Sequence, residues 1–375
     1  MAPISGARKP FTTILRFVGF VIFLYLFLVS VRLLGTGFKM FGAGFAERLI
    51  STTSNPFIGL FVGILATSLV QSSSTTTSTV VGFVASGILT IENAVPIIMG
   101  ANIGTTVTST IVSMGHVTRR EEFRRAMAAA TVHDFFNILT VAVFFPLELA
   151  TGFLRRVAQA ISTLMVGTEG VTFASPVKRV VKPAVELVVS LTTSIAGRHA
   201  AMIVAIFGVV LLLISLYFIV KYAKNLALKR AEIVLDRLMG RSGMTGMAVG
   251  CGVTAVIQSS SVTTSLMVPL AGAGIARLDQ IFPITLGANV GTTITALMAS
   301  LAGDARGLII AIVHLLFNIC GILFIYPFRP LRRIPMFLAT RLGDVAAKKK
   351  RYAALFIIGS FYALPVMLIL LSKLL

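Results

Sequence analysis

The sequence predicts an all-α polytopic membrane protein made of two inverted-topology repeats, each with a re-entrant or broken helix that carries a Gln-Ser-Ser-Ser motif. Three observations carry this expectation. The 375-residue chain is 56% apolar and 12% charged, with mean hydropathy +0.95, far outside the range of soluble domains. Apolar stretches of about 20 residues, the length that crosses a bilayer, recur at 11–34, 126–146, 200–222, 308–326 and 352–371. And the chain repeats itself: "VQSSSTTTSTVVGFVASG" from Val70 is matched by "VIQSSSVTTSLMVPLAGAG" from Val256, with Gln71 and Gln258 187 positions apart.

The same offset carries Gly63 onto Gly250, Thr67 onto Thr254, Pro96 onto Pro283, and "GANIGTT" from Gly100 onto "GANVGTT" from Gly287. After a six-residue shortening, "VHDFFN" from Val132 falls on "VHLLFN" from Val313. The organisation that follows is a cytoplasmic amino-terminal segment (1–10), a first repeat (11–148), an outer-side linker with interfacial helices (149–199), a second repeat (200–329), a basic cytoplasmic loop (330–351) and a final transmembrane helix (352–375). Each repeat holds a full span, the Gln-Ser-Ser-Ser segment, and two more spans around the Gly-Ala-Asn and His-x-x-x-Asn motifs. An odd number of crossings per unit makes the two units face opposite ways. Basic residues agree with this: the loop at 34–56 carries two, and its counterpart at 221–243 carries six. The cytoplasmic side then takes Arg8, Lys9, Arg119, Arg120, Lys224, Arg241 and the cluster beyond Arg329. The linker contains short apolar runs such as 183–191, which predict helices lying on the outer surface.

The formal charge of +20 does not point to nucleic acid, because the basic residues sit at span ends and in loops without aromatic interleaving. Anionic headgroups of the bilayer explain it. Cys251 and Cys320 lie in apolar stretches and suggest neither a disulfide framework nor a metal site. No cofactor is expected.

The eight consecutive hydroxyl residues Ser72 to Thr79 lie inside an apolar segment. Such a run also serves as interhelical glue, but its duplication in inverted repeats, with Gly82 and Gly87 or Gly272 and Gly274 close behind to break the helix, points to a mid-membrane substrate site. Hydroxyls, amides and freed carbonyls suit sodium. Hydroxyl and amide donors, with the N–H groups at half-helix amino termini, suit an oxyanion. No Lys or Arg occurs between Arg48 and Arg119 or between Arg241 and Arg277, so the anion is expected to be held by neutral donors, with bound cations offsetting its charge. Asp134 is an intramembrane carboxylate whose partner position is Leu315. It is expected to touch an ion, the plain alternative being a helix–helix hydrogen bond. His133 and His314 are expected to cap broken helices. An enzyme is disfavoured: the Gln-Ser-Ser-Ser runs have no base nearby in sequence, and there is no nucleotide loop or zinc-ligand spacing.

With these motifs in hand, the chain resembles the type II sodium-dependent phosphate cotransporter family. The resemblance spans nearly the whole membrane core: "NPFIGLFVGILATSLVQSSSTTTSTVVGFVASGILT" from Asn55, "VPIIMGANIGTTVTSTIVSM" from Val95, "EFRRAMAAATVHDFFNILTVAVFFPLE" from Glu122, and the second-half "QSSS", "LGANVGTT", "HLLFN" and "YP" elements. It implies a sodium-coupled symporter importing inorganic phosphate by alternating access, with sodium ions as co-transported ligands. Transport of another small oxyanion and a passive anion channel are the alternatives. Carried over by position, Gln71, Ser72, Ser73, Ser74, Asn102, Gln258, Ser260, Ser261 and Asn289 would contact phosphate. Asp134 and Asn137 would belong to one sodium site, and Ser259, Thr292 and Thr295 to another. Asp134, Ala128 and Ala130 match the electrogenic pattern, so an extra sodium is implied. The long outer loop of animal members is absent, and Ala288 stands where they often have Ser. A compact transporter of the bacterial inner membrane, with its amino terminus in the cytoplasm and room for a homodimer, is the simplest expectation.

Overall fold

The structure, a computed structural model, describes residues 8–166, 176–238 and 242–372. Residues 1–7 of the expected amino-terminal segment, 167–175 of the linker, Arg241 of the inner basic set and the terminal 373–375 lie outside the described residues. The helices in chain order are α1 (Arg8–Lys39), α2 (Ala43–Thr52), α3 (Pro56–Val70), α4 (Ser73–Ser86), α5 (Ile91–Gly104), α6 (Val107–Ser113), α7 (Arg120–Thr151), α8 (Phe153–Val166), α9 (Pro176–Ala196), α10 (Ala200–Leu238), α11 (Gly243–Ile257), α12 (Ser260–Gly272), α13 (Leu278–Leu301), α14 (Ala305–Ile325), α15 (Arg329–Lys348), α16 (Arg351–Ile358) and α17 (Leu364–Leu371). A π turn at Gly359–Ala363 joins the last two. Among the described residues there is no β-strand.

Seven helical stretches among the described residues are long and apolar enough to cross a membrane: Thr13–Lys39, Ile91–His116, Arg120–Thr151, Val177–Leu235, Leu278–Leu301, Ala305–Ile325 and Arg351–Leu371. The chain is therefore an all-α polytopic membrane protein. In contrast, α3 and α11 have 15 residues each, about 22 Å at 1.5 Å per residue, too short to cross about 30 Å of hydrocarbon. Glycine packing shows where they go. A Cβ on Gly63 would strike the Ile97 carbonyl and one on Gly100 the Leu60 carbonyl, so α3 and α5 lie backbone to backbone and run parallel. Gly250 with Ile284 and Gly287 with Met247 repeat this between α11 and α13. Since α3 starts beside α5, and α4 ends where α5 begins, the α3–α4 pair enters and leaves on one side of the protein. The α11–α12 pair does the same.

The first helices of the two halves run antiparallel. Gly19 faces Tyr222, Leu34 faces Gly208 and Gly37 faces Ala205, so residue numbers rise along α1 as they fall along α10. Each broken pair also reaches into the other half, α4 packing on α13 and α14, and α12 on α6 and α7. The main apolar core gathers Phe27, Leu34, Val81, Ile98, Ala299 and Phe317 from both halves.

Some expectations are corrected. The helix does not break at Gly82: α4 runs through it, because the missing side chain lets the helix approach α1, where a Cβ would lie 3.2 Å from the Val31 carbonyl oxygen. Besides the break before the hydroxyl run, at Gln71 and Gln258, the helix after it ends at Gly87 in the first half and Gly272 in the second. The linker run at 183–191 is part of a longer helix, α9, of 21 residues, which packs against α1 and α10.

Candidate functional site

Two left-handed glutamines organise the site. Gln71 has φ 54°, ψ 30° and Gln258 φ 61°, ψ 26°, and among the described residues they are the non-glycine residues with positive φ. A bulky residue in this region costs about 1–3 kcal/mol, and its recurrence at equivalent positions marks a turn the fold enforces. The next residue then caps the following helix. Ser72 (φ −150°, ψ 103°) and Ser259 (φ −152°, ψ 108°) are N-caps. Ser72 Oγ accepts from Thr75 N at 3.2 Å, and Ser259 Oγ from Val262 N at 3.3 Å.

Hydroxyl pairs brace each turn. Thr67 Oγ1 donates to Thr76 Oγ1 at 3.0 Å, and Thr254 Oγ1 to Thr263 Oγ1 at 2.8 Å, tying the helix before the break to the helix after it. Part of each run is thus the interhelical glue that a hydroxyl stretch supplies in lipid. The first hydroxyls of each run, Ser72 to Thr75 and Ser259 to Ser261, line a cavity of about 520 Å³ that both turns share. Gln71, Ser72, Ser73 and Ser74 come from the first half, Gln258, Ser259, Ser260 and Ser261 from the second, and the wall opposite is α10 from Leu213 to Asn225. The helices α4 and α12 start at this cavity, so their first N–H groups, which have no partner one turn back, and the positive ends of both dipoles meet there.

The two turns are joined through Thr295. Its Oγ1 donates to Gln258 Oε1 at 2.9 Å and accepts from Ser74 Oγ at 3.5 Å. The halves are not equivalent here: Gln258 is 5% exposed whereas Gln71 is exposed, and Thr108 Oγ1, at the position matching Thr295, has no partner. Thr292 is buried, with its Oγ1 donating to the Ala288 carbonyl at 3.1 Å.

The asparagines expected among the phosphate and sodium ligands do not line the cavity. They form a buried amide network at the centre of the protein. Asn137 Nδ2 donates to the Asn102 carbonyl at 2.7 Å, and Asn289 Nδ2 donates to Asn137 Oδ1 at 3.1 Å and Asn318 Oδ1 at 2.7 Å. Asn318 is a member that the sequence expectation missed, although the repeated His-x-x-x-Asn motif signalled it. Asp134 is fully buried on α7 beside this network; Oδ2 accepts from Thr110 Oγ1 at 3.5 Å, and Oδ1 has no partner. An unmatched buried carboxylate oxygen is costly. Among the described residues no group of three His, Cys, Asp or Glu side chains could hold a metal ion.

His133 and His314 are not helix caps. Both lie inside unbroken helices, buried, and His133 Nε2 and both ring nitrogens of His314 lack partners. Beside the neutral donors expected to hold an anion, Lys221 and Lys224 also line the cavity from α10. Their distance from the motifs in sequence hid them, and the 39-residue length of α10 brings them there.

The Na+/Pi-cotransporter family model matches residues 26–173 and 211–339. The chain is similar to sodium-dependent phosphate transport protein 2B of Homo sapiens, 34% identical over 436 residues, covering 92% of this chain and 63% of that protein. It is similar to protein 2A of Ovis aries, 34% identical with 98% and 70% covered, and to protein 2A of Rattus norvegicus, 35% identical with 92% and 65% covered. The chain thus spans about 63% of the length of the first of these relatives. No solved structure matches it. The chain belongs to the Na+/Pi-cotransporter family.

Proposed function

We propose that the protein is a sodium-coupled secondary symporter that imports inorganic phosphate by alternating access between two inverted repeats, 11–148 and 200–329, and that its cycle moves net charge. The observation that carries this reading is the single cavity into which both Gln-Ser-Ser-Ser turns and two helix amino termini open. Backbone and hydroxyl donors converging on one point suit an oxyanion. Phosphate would take Gln71, Ser72, Ser73, Ser74, Gln258, Ser260 and Ser261, with Asn102 and Asn289 bracing from behind the cavity wall. One sodium would sit at Ser259, Thr292 and Thr295, and a further sodium at Asp134 and Asn137.

The antiparallel α1 and α10 support the inverted repeats. The basic residues in the carboxyl-terminal part of α10 and around α15 support a cytoplasmic amino terminus in a bacterial inner membrane, and by that orientation the cavity mouth at Lys221 and Lys224 faces inward. A homodimer is compatible with this reading, and light scattering of the purified protein decides it. The test of function is uptake of labelled phosphate into proteoliposomes with sodium, potassium or choline outside. Uptake that needs sodium and selects phosphate is expected. Equal uptake in all three salts would leave a passive anion channel, and sodium-driven uptake of a different oxyanion would change the substrate.

A further inference from the structure

A smaller cavity, of about 190 Å³, lies at the other end of the bundle, where the carboxyl end of α1 meets α4, α9 and the α13–α14 turn. Gly37 of α1 packs against Ala205 of α10, so this pocket is about 30 Å along α10 from Asn225 at the mouth of the main cavity. Its floor is the α1–α4 seam. There a Cβ on Gly35 would lie 2.8 Å from Ser86 Cβ and 3.2 Å from the Gly82 carbonyl oxygen. Its walls carry Arg32, Lys39, Lys178 and Arg306 against a single carboxylate, Asp304.

Three of these cations have no carboxylate partner among the described residues. Asp304 is already engaged by Arg306, at 2.9 and 3.2 Å. Arg32 makes one long bond, at 3.3 Å, to the Ala302 carbonyl, and among the described residues neither Lys39 nor Lys178 has a carboxylate partner. A second basic pocket lies where the end of α12 meets α7, α13 and α15, around Arg124, Arg125 and Arg277. There every cation is occupied. Arg124 binds Glu121 at 2.9 Å and Asp344 at 3.5 Å, and Arg277 binds Asp279 at 2.6 Å. Arg125, the repeat counterpart of Arg306, donates to the Gly272 carbonyl at 2.6 and 3.0 Å and so ties down the end of α12. Arg306 lies over Gly87 as Arg125 lies over Gly274, but it makes no such bond to the end of α4. Three cations beside a carboxylate that Arg306 already neutralises, across a space that admits a small tetrahedral anion, form a phosphate-group site, with the Arg32 guanidinium fork suited to its oxygens.

We propose that this pocket binds a phosphate group on the face of the protein opposite the mouth of the main cavity, directly above the closed α1–α4 seam. Inorganic phosphate awaiting entry is the source that the proposed symport supplies, and to that extent the inference rests on that reading. An anionic lipid headgroup would present the same chemistry.

The test is the rate at which an amine-reactive ester labels Lys178 and Lys39, read by peptide mass spectrometry on the full chain in nanodiscs of neutral lipid, with Lys348 as internal reference. Inorganic phosphate is expected to slow labelling of Lys178 saturably, about elevenfold at ten times its dissociation constant. Chloride at matched ionic strength is expected not to. Arg32→Gln should abolish the protection; Arg306→Gln serves the same purpose should Arg32→Gln not fold. Nanodiscs containing phosphatidylglycerol without inorganic phosphate form the second arm, and protection there alone assigns the phosphate group to lipid. Protection in neither arm, or equal protection by chloride, overturns the proposal. Labelling needs no turnover, so protection of Lys178 in a protein that fails to take up phosphate supports the pocket while refuting the symport reading.

Discussion

Thr295→Val separates a substrate site from a structural hydroxyl ladder. Thr295 is 1% exposed and Gln258 5%, and the 2.9 Å bond between them is one arm of a chain that the 3.5 Å contact with Ser74 extends into the other half. Valine keeps the shape of threonine and removes the hydroxyl, leaving Gln258 Oε1 without its donor while Gln258 Nε2 stays bound to the Ala255 carbonyl. A buried acceptor stripped of its partner costs about 1–3 kcal/mol. Gln258 stands on the cavity wall, so the loss should fall on the arrangement that meets the anion, a weakening of about five- to 150-fold in phosphate half-saturation. Thr254→Val is the matched control. It removes the 2.8 Å brace to Thr263 outside the cavity lining, and is expected to lower stability by about 1 kcal/mol with phosphate half-saturation near the parent's. The assay is sodium-driven uptake in proteoliposomes across a phosphate titration, with thermal unfolding of each purified variant. If Thr295→Val lowers only the melting temperature, as Thr254→Val does, the hydroxyls serve as helix glue and phosphate binds elsewhere.

Gly100→Ala and Gly287→Ala should each prevent recovery of folded protein, because the added carbon strikes a backbone carbonyl of the neighbouring helix; Gly252→Ala, where nothing lies within 4 Å, should give a normal gel-filtration profile. Asp134→Gly should flatten the voltage dependence of uptake, measured at several potassium-valinomycin potentials, since each charge moved gains about 2.3 kcal/mol per 100 mV. Voltage dependence unchanged in both Asp134→Gly and Asp134→Asn would mean that the carboxylate only braces helices. Replacing both Lys221 and Lys224 with Gln should raise phosphate half-saturation by about two- to tenfold at low salt, the difference shrinking above about 0.15 M, where the screening length falls to about 8 Å.

Much of the architecture was legible because duplication writes the same constraint twice. The offset joining Gln71 to Gln258 also joins Gly63 to Gly250 and Gly100 to Gly287, and both sets carry real geometry, a left-handed turn and a backbone-to-backbone contact. What single positions mean was harder to read. Gly82 looked like a helix breaker and is a helix contact, a distinction set by whether another chain segment approaches, which local sequence does not record. Lys221 and Lys224 looked like loop charges because hydropathy ends the span near Tyr222, yet α10 continues as helix to Leu238 and turns them toward the cavity. The histidines drew attention as a repeated pair, but their burial within α7 and α14 rules out the capping role. The link from Asn289 to Asn137 crosses the two halves and has no signature in either motif alone.

The differences between the halves matter as much as their likeness. On one side α4 closes against α1 through Gly35, Gly82 and Ser86. The equivalent contact, of α12 with α10, is replaced by the open cavity. The sequence gives a reason. The positions matching Gly35 and Gly82 are Tyr222 and Pro269; the Tyr222 ring lies against Gly19 and stacks near Phe23 and Phe218 rather than making room for α12, and Pro269 puts a ring where Gly82 has none. Two small residues let one seam close to backbone contact, where dispersion is strongest, and no such pair exists at the other. Under the proposed alternating access the two arrangements would be unequal in packing, which would favour the α1–α4 side shut. Ions and substrate would then supply the differential binding that opens it, and the proposed phosphate-group pocket of Arg32, Lys39 and Lys178 lies directly above that seam.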